Sequence, residues 1–284
     1  GETARASASS SAAGGKGANQ AVQMSKLGMD VSMIGRIGSD QMGMALLNSL
    51  ESAGVNCEQV VALDGSGTGM GIVDVFPDGS VMAVISGGAN ERVTKADVQR
   101  AEGLIREADM LVLQLEIPLD AVEYAIELAS KYGKKILLNA APAAALPDDC
   151  IRKCTYFVVN EVEASFYAGV TIDSLKAAEQ YLPDLASRYD NCWICTLGKQ
   201  GAVILQNGMF SHIPAVRTDV IETTGAGDSF VGGFAYGIIN GMNEEEAGHF
   251  AAWCSAVTIR GVGAQNAMPT LEQINMLKKE FGVL

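Results

Sequence analysis

Residues 110–139 read MLVLQLEIPLDAVEYAIELASKYGKKILLN, and this stretch decides the fold. Met110–Leu113 is a short, unbroken apolar run, as in a strand covered on both faces. Pro118 opens a segment in which Val122, Ala125, Ile126 and Ala129 recur at helical spacing, and Gly133 closes it. Ile136–Leu138 is the next apolar strand. Strand, helix and strand in so short a span make a crossover unit whose strands lie parallel.

The alternation continues in both directions. Downstream, Tyr156–Val159 and Asn191–Leu197 read as strands, and Ala226–Asn240 and Glu244–Ile259 as helices. Ala202–Gln206 and Met209–Ile213 flank Asn207-Gly208, a hairpin signal. Upstream, Thr94 reads as an N-cap with Asp97 three residues on, opening one helix through Val98, Ala101, Leu104, Ile105 and Ala108. The sum is an α/β protein with a mostly parallel sheet covered on both faces. Met70–Phe76 and Val81–Ser86 flank Pro77-Asp78-Gly79-Ser80, a further hairpin that is apolar on both sides. A lone ribbon cannot bury both sides, and a second copy packed on it would. We expect lid strands interleaved with the start of the core over residues 1–20 and 30–90, and an α/β core over 91–284.

Composition narrows the function. Lys plus Arg is 20 against 33 Asp plus Glu, a net charge of −13, which speaks against a nucleic-acid partner or an anionic membrane surface. No stretch approaches the roughly 18 apolar residues of a membrane span. Six cysteines are too few for a disulfide scaffold and fit a reducing cytoplasm. Gly1 stands where an initiator Met would, and we expect a segment upstream of it.

Two glycine-rich stretches lead into helices. Gly14-Gly15-Lys16-Gly17-Ala18-Asn19 lets backbone approach a ligand closely, with Lys16 and Asn19 as polar handles; it reads equally as a plain capping loop. In Thr223-Thr224-Gly225-Ala226-Gly227-Asp228-Ser229, successive N–H groups at a helix start form a nest for a phosphate. Asp228 beside that nest has the position of a base for a hydroxyl, or of an ordinary first-turn carboxylate. The motifs of P-loop enzymes, dinucleotide-binding folds and serine hydrolases are absent. Cys192 and Cys195 have CxxC spacing, and Cys150 and Cys154 CxxxC; on a strand i and i+3 face opposite ways, so buried packing is favoured over zinc. His212 and His249 have no visible partner.

GGKGANQA at Gly14–Ala21 and TTGAGDS at Thr223–Ser229 resemble the two signatures of the ribokinase family of carbohydrate kinases, the phosphofructokinase-B group. QLE at Gln114–Glu116, NAAPA at Asn139–Ala143, NEVEA at Asn160–Ala164, TLGKQG at Thr196–Gly201 and GAQ at Gly263–Gln265 follow in family order. The resemblance implies a three-layer α/β/α fold with a small β-lid that closes over the sugar and pairs subunits into a homodimer. It implies Asp228 as catalytic base, Gly225, Ala226 and Gly227 as anion hole, and Gly14, Gly15, Lys16, Asn19 and Glu116 around the sugar. Asn160, Thr196, Gly198, Gly201 and Gly227 would line ATP, and Glu163 the magnesium region. Potassium, an activator in the family, would sit among backbone carbonyls around Glu222, Thr224, Thr258, Gly261 and Gly263.

The chain also departs from the pattern. Glu222 stands where the family usually has Asp, Ala267 where a Ser is frequent, and the first strand with its sugar-binding Asp would lie upstream of Gly1. The expected activity is transfer of the ATP γ-phosphate to a primary hydroxyl, O5 of D-ribose first. Deoxyribose, fructose or a sugar acid is the alternative substrate, and a catalytically silent sugar-binding paralogue the alternative class.

Overall fold

The computed structural model describes residues 11–75 and 81–283. The chain opens with α1 (Lys16–Lys26), β1 (Ser32–Gly38), α2 (Gln41–Ser52) and β2 (Asn56–Leu63), then the ribbon β3 (Met70–Val75) and β4 (Val81–Ser86). It continues with α3 (Lys95–Arg100), α4 (Glu102–Glu107), β5 (Met110–Leu113), α5 (Leu119–Lys131), β6 (Lys135–Asn139), α6 (Asp148–Lys153), β7 (Tyr156–Asn160), α7 (Glu161–Ala168) and α8 (Leu175–Ala186). The last part is β8 (Cys192–Thr196), β9 (Ala202–Gln206), β10 (Met209–Ile213), α9 (Ala226–Ile239), α10 (Glu244–Thr258), α11 (Ala264–Ala267) and α12 (Leu271–Glu280).

The main sheet has the order β10-β9-β8-β7-β6-β5. Strands β5 to β8 run parallel, and β9 and β10 return antiparallel through Asn207-Gly208, both at positive φ as that turn requires. Alternation along the strands makes two cores. Ile136, Leu138, Phe157, Val159, Trp193 and Cys195 pack under α5, α6 and α8. Leu137, Tyr156, Val158, Cys192 and Ile194 pack under α1, α9 and α10. The expected three layers are present, and Cys192 and Cys195 do face opposite ways, both buried with their thiols pushed up by burial.

The helix expected from Thr94 to Ala108 is two. Thr94 and Asp97 form the capping box, but the chain turns at Ala101 (φ −90°, ψ 8°) and restarts as α4. Gly103 weakens the helix just there, at about 1 kcal/mol relative to alanine. Asp97 also pairs with Arg36 of β1 at 2.8 Å, pinning α3 to that strand.

The stretch 30–90 divides. β1 and β2 pair parallel with each other, and Val31, Leu50 and Val55 join the core under α1 and α9. β3 and β4 form a separate antiparallel ribbon in which Ile72 lies opposite Val84 and Gly71 opposite Ile85. Ile72, Val84 and Ile85 are 49%, 53% and 71% exposed. Phe76 and the turn Pro77–Ser80 lie outside the described residues.

Candidate active site

The strands β5 to β8 end in polar residues at one edge of the sheet: Gln114 just past β5, Asn139 on β6, Asn160 on β7 and Thr196 on β8. Open parallel sheets bind ligands at that carboxyl edge. Four of the family-like segments, those starting at Gln114, Asn139, Asn160 and Thr196, begin there.

Two helices deliver the rest. α1 begins on Gly15, whose φ of 91° suits glycine alone. Its first backbone N–H, that of Lys16, donates to Glu116 Oε2 at 2.8 Å. α9 begins on Gly225 in the left-handed region, φ 79°, where a Cβ would meet that of Ala264 at 2.9 Å. The Ala226 N–H is taken by Thr223 O and that of Ser229 by Gly225 O. Those of Gly227 and Asp228 find no acceptor among the described residues, and a Cβ on Gly227 would meet open space. α9 is glycine-rich because it is wedged between helices: at Gly232 a Cβ would strike Gln23 of α1 at 2.6 Å, and at Gly233 Cys254 of α10 at 2.7 Å.

The two starts meet at Asp228, which is 8% exposed. Asn19 Nδ2 donates to its Oδ2 at 2.8 Å, and Gln20 Nε2 to its Oδ1 at 3.0 Å. Burial pushes the Asp228 carboxyl above the usual carboxylate range, against the pull of the Lys16 ammonium and the two amides. Asn19 Oδ1 is buried and has no partner among the described residues. Gln20, wholly buried, also donates to Asn139 Oδ1 at 3.0 Å and accepts from Gln114 Nε2 at 2.5 Å. Ser229 Oγ donates to Gln23 Oε1, which ties α9 to α1 one step deeper.

Of the expected sugar residues, Lys16, Asn19, Glu116 and Asp228 are thus brought together. Of the residues expected along the nucleotide, Asn160 and Thr196 are neighbours across β7 and β8. Asn160 caps α7 and in return its N–H donates to Glu163 Oε2 at 2.8 Å, while burial pushes the Glu163 carboxyl up. Gly198 (φ 49°) and Gly201 (φ 92°) shape the turn after β8, and Gly201 has a packing reason of its own, because a Cβ there would overlap Ile213 O. In the expected cation region, Ile221 and Glu222 donate backbone N–H groups to Ile259 O, and Gly263 N–H donates to Glu222 Oε2 at 2.9 Å.

Gln20 and Asn139 were given no role by the sequence, although both lie inside stretches that carry the family pattern. A usable signal existed: Gln20 and Gln23 fall at i, i+3 among Ala21, Val22 and Met24, on a face that has to be buried.

Among known proteins the chain is 37% identical to a ribokinase of Schizosaccharomyces pombe over 272 residues, 92% of this chain and 85% of the relative. It is 34% identical to a deoxyribokinase of Salmonella typhi, over 97% of this chain and 90% of the other. The solved structure of Arabidopsis thaliana ribokinase complexed with ribose and ATP superposes with a TM-score of 0.89 at 27% identity, over 98% of this chain and 91% of that one. The model of the pfkB family carbohydrate kinases matches residues 1–271. With that match, and with a glycine-led helix start beside a buried carboxylate, the chain belongs to the pfkB family of carbohydrate kinases, enzymes that transfer a phosphoryl group to an alcohol.

Proposed function

We propose that this protein transfers the γ-phosphate of ATP to O5 of D-ribose. The observation that carries the reading is the meeting of the two glycine-led helix starts at Asp228 and Asn19. Asp228 takes the proton of the attacking hydroxyl, and its raised carboxyl makes it a stronger base than an exposed carboxylate. The unpartnered Asn19 Oδ1 accepts from a second sugar hydroxyl, removing the cost of a buried orphan. Lys16, Gly14, Gly15 and Glu116 complete the sugar side. The open N–H groups of Gly227 and Asp228, behind Gly225 and Ala226, receive the charge that grows on the phosphoryl oxygens. Asn160, Thr196, Gly198 and Gly201 lie toward the rest of the nucleotide.

Ribose is favoured over 2-deoxyribose by the ribokinases among the relatives, and the Salmonella deoxyribokinase keeps the second sugar in play. The test is sugar-dependent ADP formation with D-ribose, 2-deoxyribose, fructose and a sugar acid, with the product phosphate located by NMR. Fastest turnover on ribose with the phosphate on O5 is expected. Turnover on none of them would mean a silent sugar-binding protein.

Magnesium fits this donor set as an ion carried by the ATP phosphates. Among the described residues no cluster of three acidic, His or Cys side chains would cage it, and the nearby Glu163 has one oxygen engaged as a cap. It would neutralise charge on the phosphates. Potassium fits the loop beside the nest, where the carbonyls of Glu222, Thr224 and Gly261 accept no backbone hydrogen bond among the described residues, with Thr258 and Gly263 adjacent.

The β3–β4 ribbon is the lid, and its exposed Met70, Ile72, Val84 and Ile85 are buried by the ribbon of a second copy. Light scattering at micromolar protein should give the mass of a dimer, and a monomer would refute the pairing. No helix among the described residues is long and apolar enough to cross a membrane, and the six cysteines form no disulfide, which supports a place in the reducing cytoplasm.

A further inference from the structure

We infer that Gln20 is a positioning residue for Asp228: its carboxamide, oriented by Gln114 and Asn139, holds one carboxylate oxygen so that the other side of the carboxylate faces the sugar hydroxyl. The inference rests on the reading of Asp228 as the base.

A carboxamide has nearly the same shape either way round, so its orientation has to be fixed from outside. Two contacts do this. Gln114 Nε2 donates to Gln20 Oε1 at 2.5 Å, which commits the oxygen of Gln20 toward β5. Asn139 Oδ1 accepts one Nε2–H at 3.0 Å, and Asn139 is itself oriented because its Nδ2 donates to Val158 O on β7. The remaining Nε2–H of Gln20 then has one direction left, and Asp228 Oδ1 lies in it at 3.0 Å. The row runs from the sheet edge to the base, with both N–H groups and the oxygen of Gln20 engaged. Reversing Gln20 would set its oxygen against a carboxylate.

Asn19 and Gln20 divide the work. Both donate to Asp228, but Asn19 Oδ1 has no donor among the described residues while Gln20 Oε1 already accepts from Gln114. Gln20 is wholly buried, so it acts through Asp228 rather than on the substrate. The groups facing Asp228 are the ammonium of Lys16 and the neutral amides of Asn19 and Gln20, all from α1. Neutral donors orient a carboxylate while depressing its basicity less than a direct ion pair would.

The experiment measures kcat, both KM values and the pH dependence of kcat/KM for sugar in Gln20→Met, Gln114→Leu and Asp228→Asn. Met keeps the length and volume of Gln and removes its hydrogen bonds. In Gln20→Met, kcat should fall by about tenfold or more, the KM for ATP should stay, and the acid limb should move up by about one pH unit, because a lost donor makes the carboxylate easier to protonate. Gln114→Leu should move the limb the same way by less. An acid limb left in place in Gln20→Met, with activity lost only in step with Tm, would overturn the inference. If Gln20→Met does not fold, Gln114→Leu decides by the same limb. Loss of turnover in Asp228→Asn with wild-type behaviour in Gln20→Met sinks the positioning role alone; full turnover in Asp228→Asn sinks the base and with it this inference.

Discussion

The helices α1 and α9 start alike and differ in how their first N–H groups are answered. Each follows a glycine at positive φ, and each points its first turn at the same carboxylate. At α1 the positive end is already answered: Glu116 accepts the first N–H, and its negative charge repels any further anion. At α9 the first turn carries the Asp228 carboxylate itself, but no group among the described residues accepts the N–H of Gly227 or of Asp228. A helix start closed by a carboxylate suits a neutral polyol, and an open one suits a phosphate. On the proposed reading the same backbone device serves two ligands, told apart by whether its first N–H is already taken. It also explains how a chain of net charge −13 can handle ATP, since the attraction is built from local dipoles rather than surface charge.

The strongest way to break this comparison is at the shared carboxylate. Asp228→Asn keeps the size and removes proton acceptance, so kcat should fall by about 10²–10⁴-fold with ATP binding retained. Near wild-type turnover would remove the base from the site. The next effect separates the two helix starts. Gly225→Ala combines a left-handed residue with a Cβ 2.9 Å from that of Ala264, and should misalign the nest. Losing one such donor costs about 10²-fold or more in kcat. Gly15→Ala is also strained, but its Cβ would meet nothing within 4 Å, and it should act on the KM for sugar. Equal effects of the two variants on both substrates would show that the starts are not divided by ligand. Asn19→Ala comes third. An unpaired buried partner costs about 1–3 kcal/mol, so the KM for sugar should rise roughly 5- to 150-fold while that for ATP holds. A rise confined to ATP would place the sugar elsewhere.

The division between these starts was half legible in the sequence. Glycines preceding helices mark both, and Asp228 and Asn19 stand out because polar residues in a first turn attract attention. The closing of α1 by Glu116 was not legible, since the partners are 100 residues apart and Glu116 reads as a sugar ligand. The role of Gln20 was hidden for the same reason, since its acceptors lie 119 and 208 residues away and its place among Ala21, Val22 and Met24 marks burial but no partner. In the fold, β5-α5-β6 declared itself through a change of period from continuous apolar to 3.6 and back. β1 did not, because SMIGRIG has two glycines and an arginine where a buried strand would carry branched residues. The arginine has its reason in Asp97, a contact that no local pattern encodes.

The smallest expected effect lies on the loop that leads into α9. Glu222 accepts the Gly263 N–H at 2.9 Å, and that bond together with the Thr224 hydroxyl holds its carboxyl below the usual range. Thr224 is the larger influence of the two. The side chain therefore bolts residues 221–226 to the segment before α11, between the same carbonyls that a potassium ion would draw together. With part of the ordering already done by the brace, an ion adds less to the alignment of Gly225–Gly227. Potassium should still activate, by less than about tenfold, the upper worth of one ordinary hydrogen bond. Glu222→Asp shortens the brace by one methylene, frees Gly263 and should make turnover more dependent on the ion. The measurement is sugar-dependent ADP formation in potassium against tetramethylammonium at matched ionic strength. Equal wild-type rates in the two salts would exclude a working cation site, and an unchanged ratio in Glu222→Asp would exclude the brace.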